Sequence, residues 1–266
     1  MTERPIRTGP ATTLTSWPAR AGAEPVTAVR GRGRPVWSGR TGEEPHRGKP
    51  SACVRDDLAV LRPLLLAAGL GLGVAAVSEP DAEPAGPAEA VAAASMPEQR
   101  RREFLAGRRA ARRALRAVGL DCGEIPRSGR LPVFPPGRAA SISHSAGIAV
   151  AVARGADGGS PLGCDLELRP LPRAAARLVL RGDEEPLLAV WSVTALFSAK
   201  EAAWKALAVA EGGLRDLRAS SRGDELRVCR RVDPARAVRV RVVPIGAAIG
   251  AAGVFSYVTG REAFPG

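Results

Sequence analysis

Aromatic side chains are scarce in this chain, with four Trp, five Phe and one Tyr among 266 residues. Proteins that hold single-stranded nucleic acid without sequence preference stack bases on aromatic rings, so this scarcity argues against that class. Cysteine is equally thin. Cys53, Cys122, Cys164 and Cys229 form no C-x-x-C pair, which removes the usual zinc spacing and leaves no disulfide framework to read. A reducing cytoplasm is the expected compartment. The longest apolar run, Leu64 to Val77, falls short of the roughly 20 residues of a membrane helix. It also begins too far into the chain for an ordinary secretory signal, which occupies roughly the first 15–30 residues. A soluble chain with no membrane partner is expected.

What is plentiful is Arg, Ala, Gly and Pro. Lys and Arg number 39 against 27 Asp and Glu, a formal net charge of +12. Such a balance favours an anionic partner: nucleic acid, a phosphorylated cofactor or an acidic protein surface. Charge alone does not choose among the three. A hydrophobic content of 45% with 25% charged residues is ordinary for a globular protein. The length accommodates one large domain or two small ones.

Residues 1–55 are rich in Arg, Gly, Pro and Thr, and their few apolar residues follow neither helical nor strand period. They are expected to be a disordered basic extension, with Arg30, Arg32, Arg34 and Arg40 in solvent or on nucleic acid. Translation starting near Val54 or Val60 would omit most of it. From about Asp57 the pattern is that of a folded chain. Leu64 to Val77 is expected as a buried strand with its flanking turn, and Glu79 to Pro87 as a loop. Pro97 opens a helix with Phe104, Leu105, Ala111, Leu115 and Val118 on one face and arginines on the other; Gly119 ends it. Three prolines make residues 129–137 an extended loop. Strands are expected at Ile148–Ala153, Leu162–Leu168, Leu226–Val232, Ala237–Val243 and Gly253–Val258, and a second helix at Ala195–Ala210.

Carboxylates carry the chemical signal. Asp165 and Glu167 in LGCDLE are two apart, so on a strand they share one face while Cys164 and Leu166 take the other. Together with Glu201 in FSAKEAAWK they make an all-oxygen donor set suited to Mg²⁺ or Mn²⁺. A solvated acidic edge is the plainer alternative. Glu201 and Lys205, four apart, stack on one helical face, which is also the geometry of a simple surface ion pair. In SISHS, the hydroxyls of Ser143 and Ser145 with the imidazole of His144 are candidates for holding a phosphate, although a lone histidine is commonly structural. Arg108 and Arg112, four apart, are further phosphate candidates or a solvated arginine face.

Gly163, Asp165 and Glu167, followed by Phe197, Ser198, Lys200, Glu201, Ala202 and Lys205, resemble the paired motifs G-x-D-x-E and [FW]-[SCT]-x-K-E-[AS]-x-x-K of the 4'-phosphopantetheinyl transferase superfamily. Six of these positions, at about one in fifteen each, give roughly one chance match in ten million per start. EFLAGRRAAR at 103–112 and GRLPVFPPGRAASISHS at 129–145 resemble the surfactin- and enterobactin-synthase-activating branch. The interval from Asp165 to Glu201 is short for that branch. The resemblance implies an α+β fold of two similar subdomains related by a pseudo-twofold, each a small, mostly antiparallel sheet with a packed helix, here at 58–155 and 156–266. It implies transfer of phosphopantetheine from coenzyme A to a serine of an acyl or peptidyl carrier protein by a monomer. Asp165, Glu167 and Glu201 would bind Mg²⁺. Glu201 and Lys205 would be catalytic, and Ser143, His144, Arg108, Arg112 and Lys200 would contact coenzyme A. Two other readings compete: a basic nucleic-acid-binding protein, for which the folded region offers no motif, and a degenerate paralogue kept for protein interaction.

Overall fold

The computed structural model describes residues 50–80, 83–155, 159, 161–209, 211–246 and 253–262. The expected extension up to residue 49, including its arginines and His46, lies outside the described residues. Residues 50–55 correct the expectation, because helix α1 (Pro50–Val60) begins there and buries Val54 and Leu58. These two sit one turn apart and form a short apolar stripe. The Leu64 to Val77 run is divided. Its start lies in α2 (Arg62–Ala67), Gly69 turns the chain at φ +70°, and strand β1 occupies Leu70–Ala76. Helix α3 (Pro87–Ala94) begins at the end of the expected loop. Helix α4 (Glu98–Ala117) then runs as expected and ends at Gly119, φ +75°.

The proline loop contains only the two-residue strand β3 (Leu131–Pro132), which pairs with β2 (Arg127–Ser128) just before the loop. β5 (Ile148–Arg154) pairs with β1 on one side and with β4 (Ala139–Ser145) on the other, in the antiparallel order β1-β5-β4. β6 (Cys164–Glu167) follows, then α5 (Ala176–Val179), a 3₁₀ stretch over Gly182–Ala189, and α6 (Val193–Ala206). Ser192 caps α6 by accepting from the Ala195 N–H at 3.1 Å. β7 (Leu217–Arg222), β8 (Glu225–Arg230), β9 (Asp233–Ile245) and β10 (Gly253–Arg261) complete an antiparallel sheet in the order β6-β10-β9-β8-β7. The fold is α+β, with one long helix on each of two small antiparallel sheets. No helix among the described residues is long and apolar enough to cross a membrane.

Each long helix approaches its sheet through glycine. A Cβ at Gly71 or Gly73 in β1 would fall on the backbone carbonyl oxygen of Ala114 or Ala110 in α4, and one at Gly163 on that of Ala202 in α6. Around α4 the contact is alanine on alanine, with Ala106, Ala110 and Ala114 facing Ala75, Ala149 and Ala151. A third cluster joins the halves: Leu72, Val74, Ile148 and Val150 from one sheet meet Leu166, Phe255 and Tyr257 from the other, with Val54, Leu58 and Leu65 from α1 and α2.

Charge is buried in parallel fashion in the two halves. Arg112 Nη1 in α4 lies 2.6 Å from Glu89 Oε1, and Glu89 also accepts the N–H groups of Ile125 and Ala85 at 2.7 and 3.0 Å. Lys200 Nζ in α6 lies 2.7 Å from Glu184 Oε1, and Glu184 accepts the N–H groups of Ala219 and Arg181 at 2.8 and 3.1 Å. In each case a helix cation and a glutamate tie connecting segments to the helix, and removing either partner would strand a buried charge.

Glu79 performs a related task at the end of β1. It accepts from the Ala76 N–H at 2.9 Å, from Arg109 at 2.8 Å and from both terminal nitrogens of Arg113, at 3.1 and 2.8 Å. Partial burial works to raise its pKa, but these donors outweigh it and hold the carboxyl at about 2.

Gly73→Ala is expected to cost about 3 kcal/mol or more in urea denaturation, since backbone must move to admit the methyl group. Gly123→Ala, which meets nothing within 4 Å, is expected to stay within about 0.5 kcal/mol. Equal stabilities would contradict the close approach. Because the folded pKa of Glu79 lies below its ordinary value, its contribution is complete above about pH 4.5 and is lost as pH falls toward 2. Glu79→Gln should remove on the order of 2 kcal/mol at pH 7 and flatten that acid limb; an unchanged pH profile would contradict it.

Candidate active site at the seam between the sheets

Strands β4 and β6 lie side by side, and side chains join them. Ser141, Ser143 and Ser145 alternate along β4 and so share one side of the strand. The Cys164 N–H donates to Ser141 Oγ and the Leu168 N–H to Ser145 Oγ, both at 3.0 Å, while the Cys164 thiol donates to the Ser141 carbonyl at 3.2 Å. Ser143 Oγ donates to Asp165 Oδ1 at 2.8 Å and Ser145 Oγ to Glu167 Oε1 at 2.9 Å. The hydroxyls expected to meet a phosphate therefore hold the carboxylates. Ser141, which the sequence reading passed over, completes the same two-residue period.

Asp165 is buried, with its residue 6% exposed, rather than part of a solvated edge. Lys205 reaches it from α6, with Nζ 3.0 Å from Asp165 Oδ1 and 2.8 Å from the Cys164 carbonyl oxygen. Burial works to lower the Lys205 pKa, but the charges of Asp165 and Glu201 outweigh it and raise it above its ordinary value. Glu201, half-buried one turn earlier on α6, is thus within electrostatic reach of the same ammonium. Glu167 is also half-buried and accepts from the Arg169 N–H at 3.0 Å besides Ser145. The two motifs of the sequence converge here because β6 lies beneath α6, with Gly163 against Ala202.

His144 points to the other side of β4. Arg100 Nη1 lies 3.3 Å from its Nε2, and Glu103 Oε2 lies 3.5 Å from the same nitrogen. Desolvation pushes the His144 pKa below its ordinary value despite the opposing pull of Glu103. Burial works to raise the Glu103 carboxyl, but Gln99, His144 and Arg100 together hold it low. Arg100 and Glu103 face the site from α4, and no motif in the sequence singled them out.

The remaining expected contacts are engaged by the fold. Arg108 Nε donates to the Ile125 carbonyl at 2.8 Å, and its guanidinium lies 4.5 Å from the Phe104 ring centre; burial lowers its pKa to about 10. Arg112 pairs with Glu89. Lys200 is fully buried and donates to the carbonyls of Val179, Leu214 and Leu217 at 2.8, 3.2 and 3.1 Å besides meeting Glu184. Desolvation lowers its pKa, with Glu184 opposing the shift. None of the three faces solvent as a free cation.

A hard cation has partial support in this geometry. Among the described residues no three His, Cys, Asp or Glu side chains stand together as a ready-made metal-binding group. Lys205 supplies positive charge to Asp165, and Ser145 with the Arg169 N–H occupies Glu167 Oε1. Yet Asp165 Oδ2 is buried and makes no hydrogen bond with the described protein. An ionised oxygen in that position fits a further cationic or donating neighbour, and the donor set is of the oxygen type that Mg²⁺ takes.

Residues 87–154, from the start of α3 to the end of β5, match the family model described as the 4'-phosphopantetheinyl transferase N-terminal domain. No curated protein matches the chain. The match supports the phosphopantetheinyl transferase superfamily and, in general terms, a transferase of that type, and the α+β architecture is consistent with that fold. It ends before β6 and α6, so Asp165, Glu167, Glu201 and Lys205 lie outside the matched residues.

Lys205→Met leaves Asp165 buried without its cation and is expected to destabilise the protein by about 2 kcal/mol in urea at pH 7. Adding Asp165→Asn should recover part of that loss. Wild-type stability of Lys205→Met would contradict the pairing.

Proposed function

We propose that this chain transfers 4'-phosphopantetheine from coenzyme A to a serine of an acyl or peptidyl carrier protein and releases 3',5'-ADP. The observation that carries the reading is the meeting of Asp165, Lys205 and Glu201 at the seam, in a chain whose residues 87–154 match the family model of the transferase N-terminal domain. In this reading Asp165, Glu167 and Glu201 hold Mg²⁺, which when bound neutralises charge on the pyrophosphate. Glu201 accepts the proton of the carrier serine as its oxygen bonds to the β-phosphorus and the bond to the departing 3',5'-ADP breaks. Lys205 holds charge on the transferring phosphoryl group.

Ser143 and Ser145 act in this reading by fixing the carboxylates. His144, with Arg100 beside it, offers an imidazole and a guanidinium to a coenzyme A phosphate. Arg108, Arg112 and Lys200 shape the two halves rather than touch the substrate. The chain itself is placed with the surfactin- and enterobactin-synthase-activating type on the motifs at 103–112 and 129–145, and its positive net charge suits an acidic carrier surface.

The purified chain, incubated with coenzyme A, Mg²⁺ and a panel of apo carrier proteins, should add the mass of one phosphopantetheine to at least one carrier. The gain should vanish with EDTA and fall at least 10²-fold in Glu201→Ala. No gain on any carrier, with coenzyme A still bound, would replace this reading with that of a degenerate paralogue.

A further inference from the structure

Ser256 stands directly opposite Asp165 in the antiparallel pairing of β10 with β6. Directly opposed residues of such a pair project from the same face of the sheet, with Cβ atoms roughly 5 Å apart. Register therefore puts the Ser256 hydroxyl beside the Asp165 carboxylate. The flanking residues fix that side. Phe255 and Tyr257 turn into the central cluster and stack with ring centres 5.7 Å apart, which leaves Ser256 on the opposite face with α6.

Ser256 is fully buried, and its Oγ, like Asp165 Oδ2, makes no hydrogen bond with the described protein. Each is an exception to the rule that buried polar atoms find partners. Two such exceptions facing each other across one register position have a common solution. An ionised carboxylate oxygen needs a donor, and a hydroxyl is both donor and acceptor. A water molecule meets both needs, since a buried water takes two to four polar partners.

We propose that Ser256 is a positioning residue for Asp165, and that its hydroxyl and Asp165 Oδ2 share one ordered water between β6 and β10. Through that water Ser256 sets the rotation of a carboxylate whose other oxygen is held by Ser143 and Lys205. The effect on cation binding rests on the transferase reading above; the shared water does not. Groups that orient a ligating side chain from behind typically change metal affinity 10–100-fold.

Two measurements test this with the full chain. A crystal structure grown in EDTA, at a resolution that shows ordered waters, should contain density within hydrogen-bonding distance of both Ser256 Oγ and Asp165 Oδ2. An empty space, or a direct Ser256 to Asp165 hydrogen bond, would overturn the shared water. Mn²⁺ binding followed by electron paramagnetic resonance should weaken about tenfold in Ser256→Ala, while the thermal midpoint falls only slightly, as expected for the loss of one water-mediated hydrogen bond. The first half of that expectation separates positioning from packing, because deleting a merely unsatisfied buried hydroxyl would leave Mn²⁺ affinity unchanged, and unchanged affinity would overturn the positioning role. Wild-type protein that binds no Mn²⁺ would overturn the cation site of the transferase reading, and with it the positioning of a ligand, while the crystallographic result would still decide the shared water.

Discussion

The Asp165 carboxylate is the point on which the two halves of this molecule are joined. It sits on β6, accepts from Ser143 on the neighbouring sheet and pairs with Lys205 on α6. One buried negative charge thus constrains a strand, the edge of a second sheet and a helix. Burying that charge is unfavourable unless its partners are in place, so these elements are disposed to satisfy it together. The serines at 141 and 145 extend the join along β4 by bonding to the backbone of β6. A seam built from side chains rather than a continuous backbone ladder leaves the carboxylates of β6 beside the seam rather than in an apolar core.

Close helix packing makes the site compact. Because Gly163 lacks a Cβ, α6 lies low enough on β6 for the Lys205 ammonium to reach both Asp165 and the Cys164 carbonyl. Gly71 and Gly73 serve α4 in the same way, so Arg100, Glu103 and His144 are brought to the neighbouring side of the seam. The buried pairs Arg112 with Glu89 and Lys200 with Glu184 then tie each helix to its connecting segments. Cations that the sequence pattern presents as phosphate contacts are here parts of the scaffold that carries the site.

Periodicity made the main elements legible. The apolar stripes of α4 and α6, the alternation in β8 and β9 and the apolar runs of β5 and β10 appear near their expected positions. Alanine-rich α3 and the small-residue strand β7 lacked the apolar and polar contrast that such reading needs. β4 was obscured for another reason: Ser143 and Ser145 suggest phosphate contacts, whereas they and Ser141 point toward a strand about 20 residues away in sequence. Sequence spacing gives the side of a strand on which a residue stands, but not what lies on that side.

The sequence by itself determined the helix and strand faces, the shared face of Asp165 and Glu167, the four-residue step from Glu201 to Lys205 and the paired motifs that resemble the transferase superfamily. These are local properties, set by backbone period and residue type. Tertiary structure decided which charges are available. It buried Lys200, Arg108 and Arg112 against protein acceptors, placed Lys205 on Asp165, and set Ser256 opposite an unpartnered carboxylate oxygen. The availability of a charged group depends on the donors and acceptors that distant segments bring within about 3 Å, and no spacing along the chain encodes that.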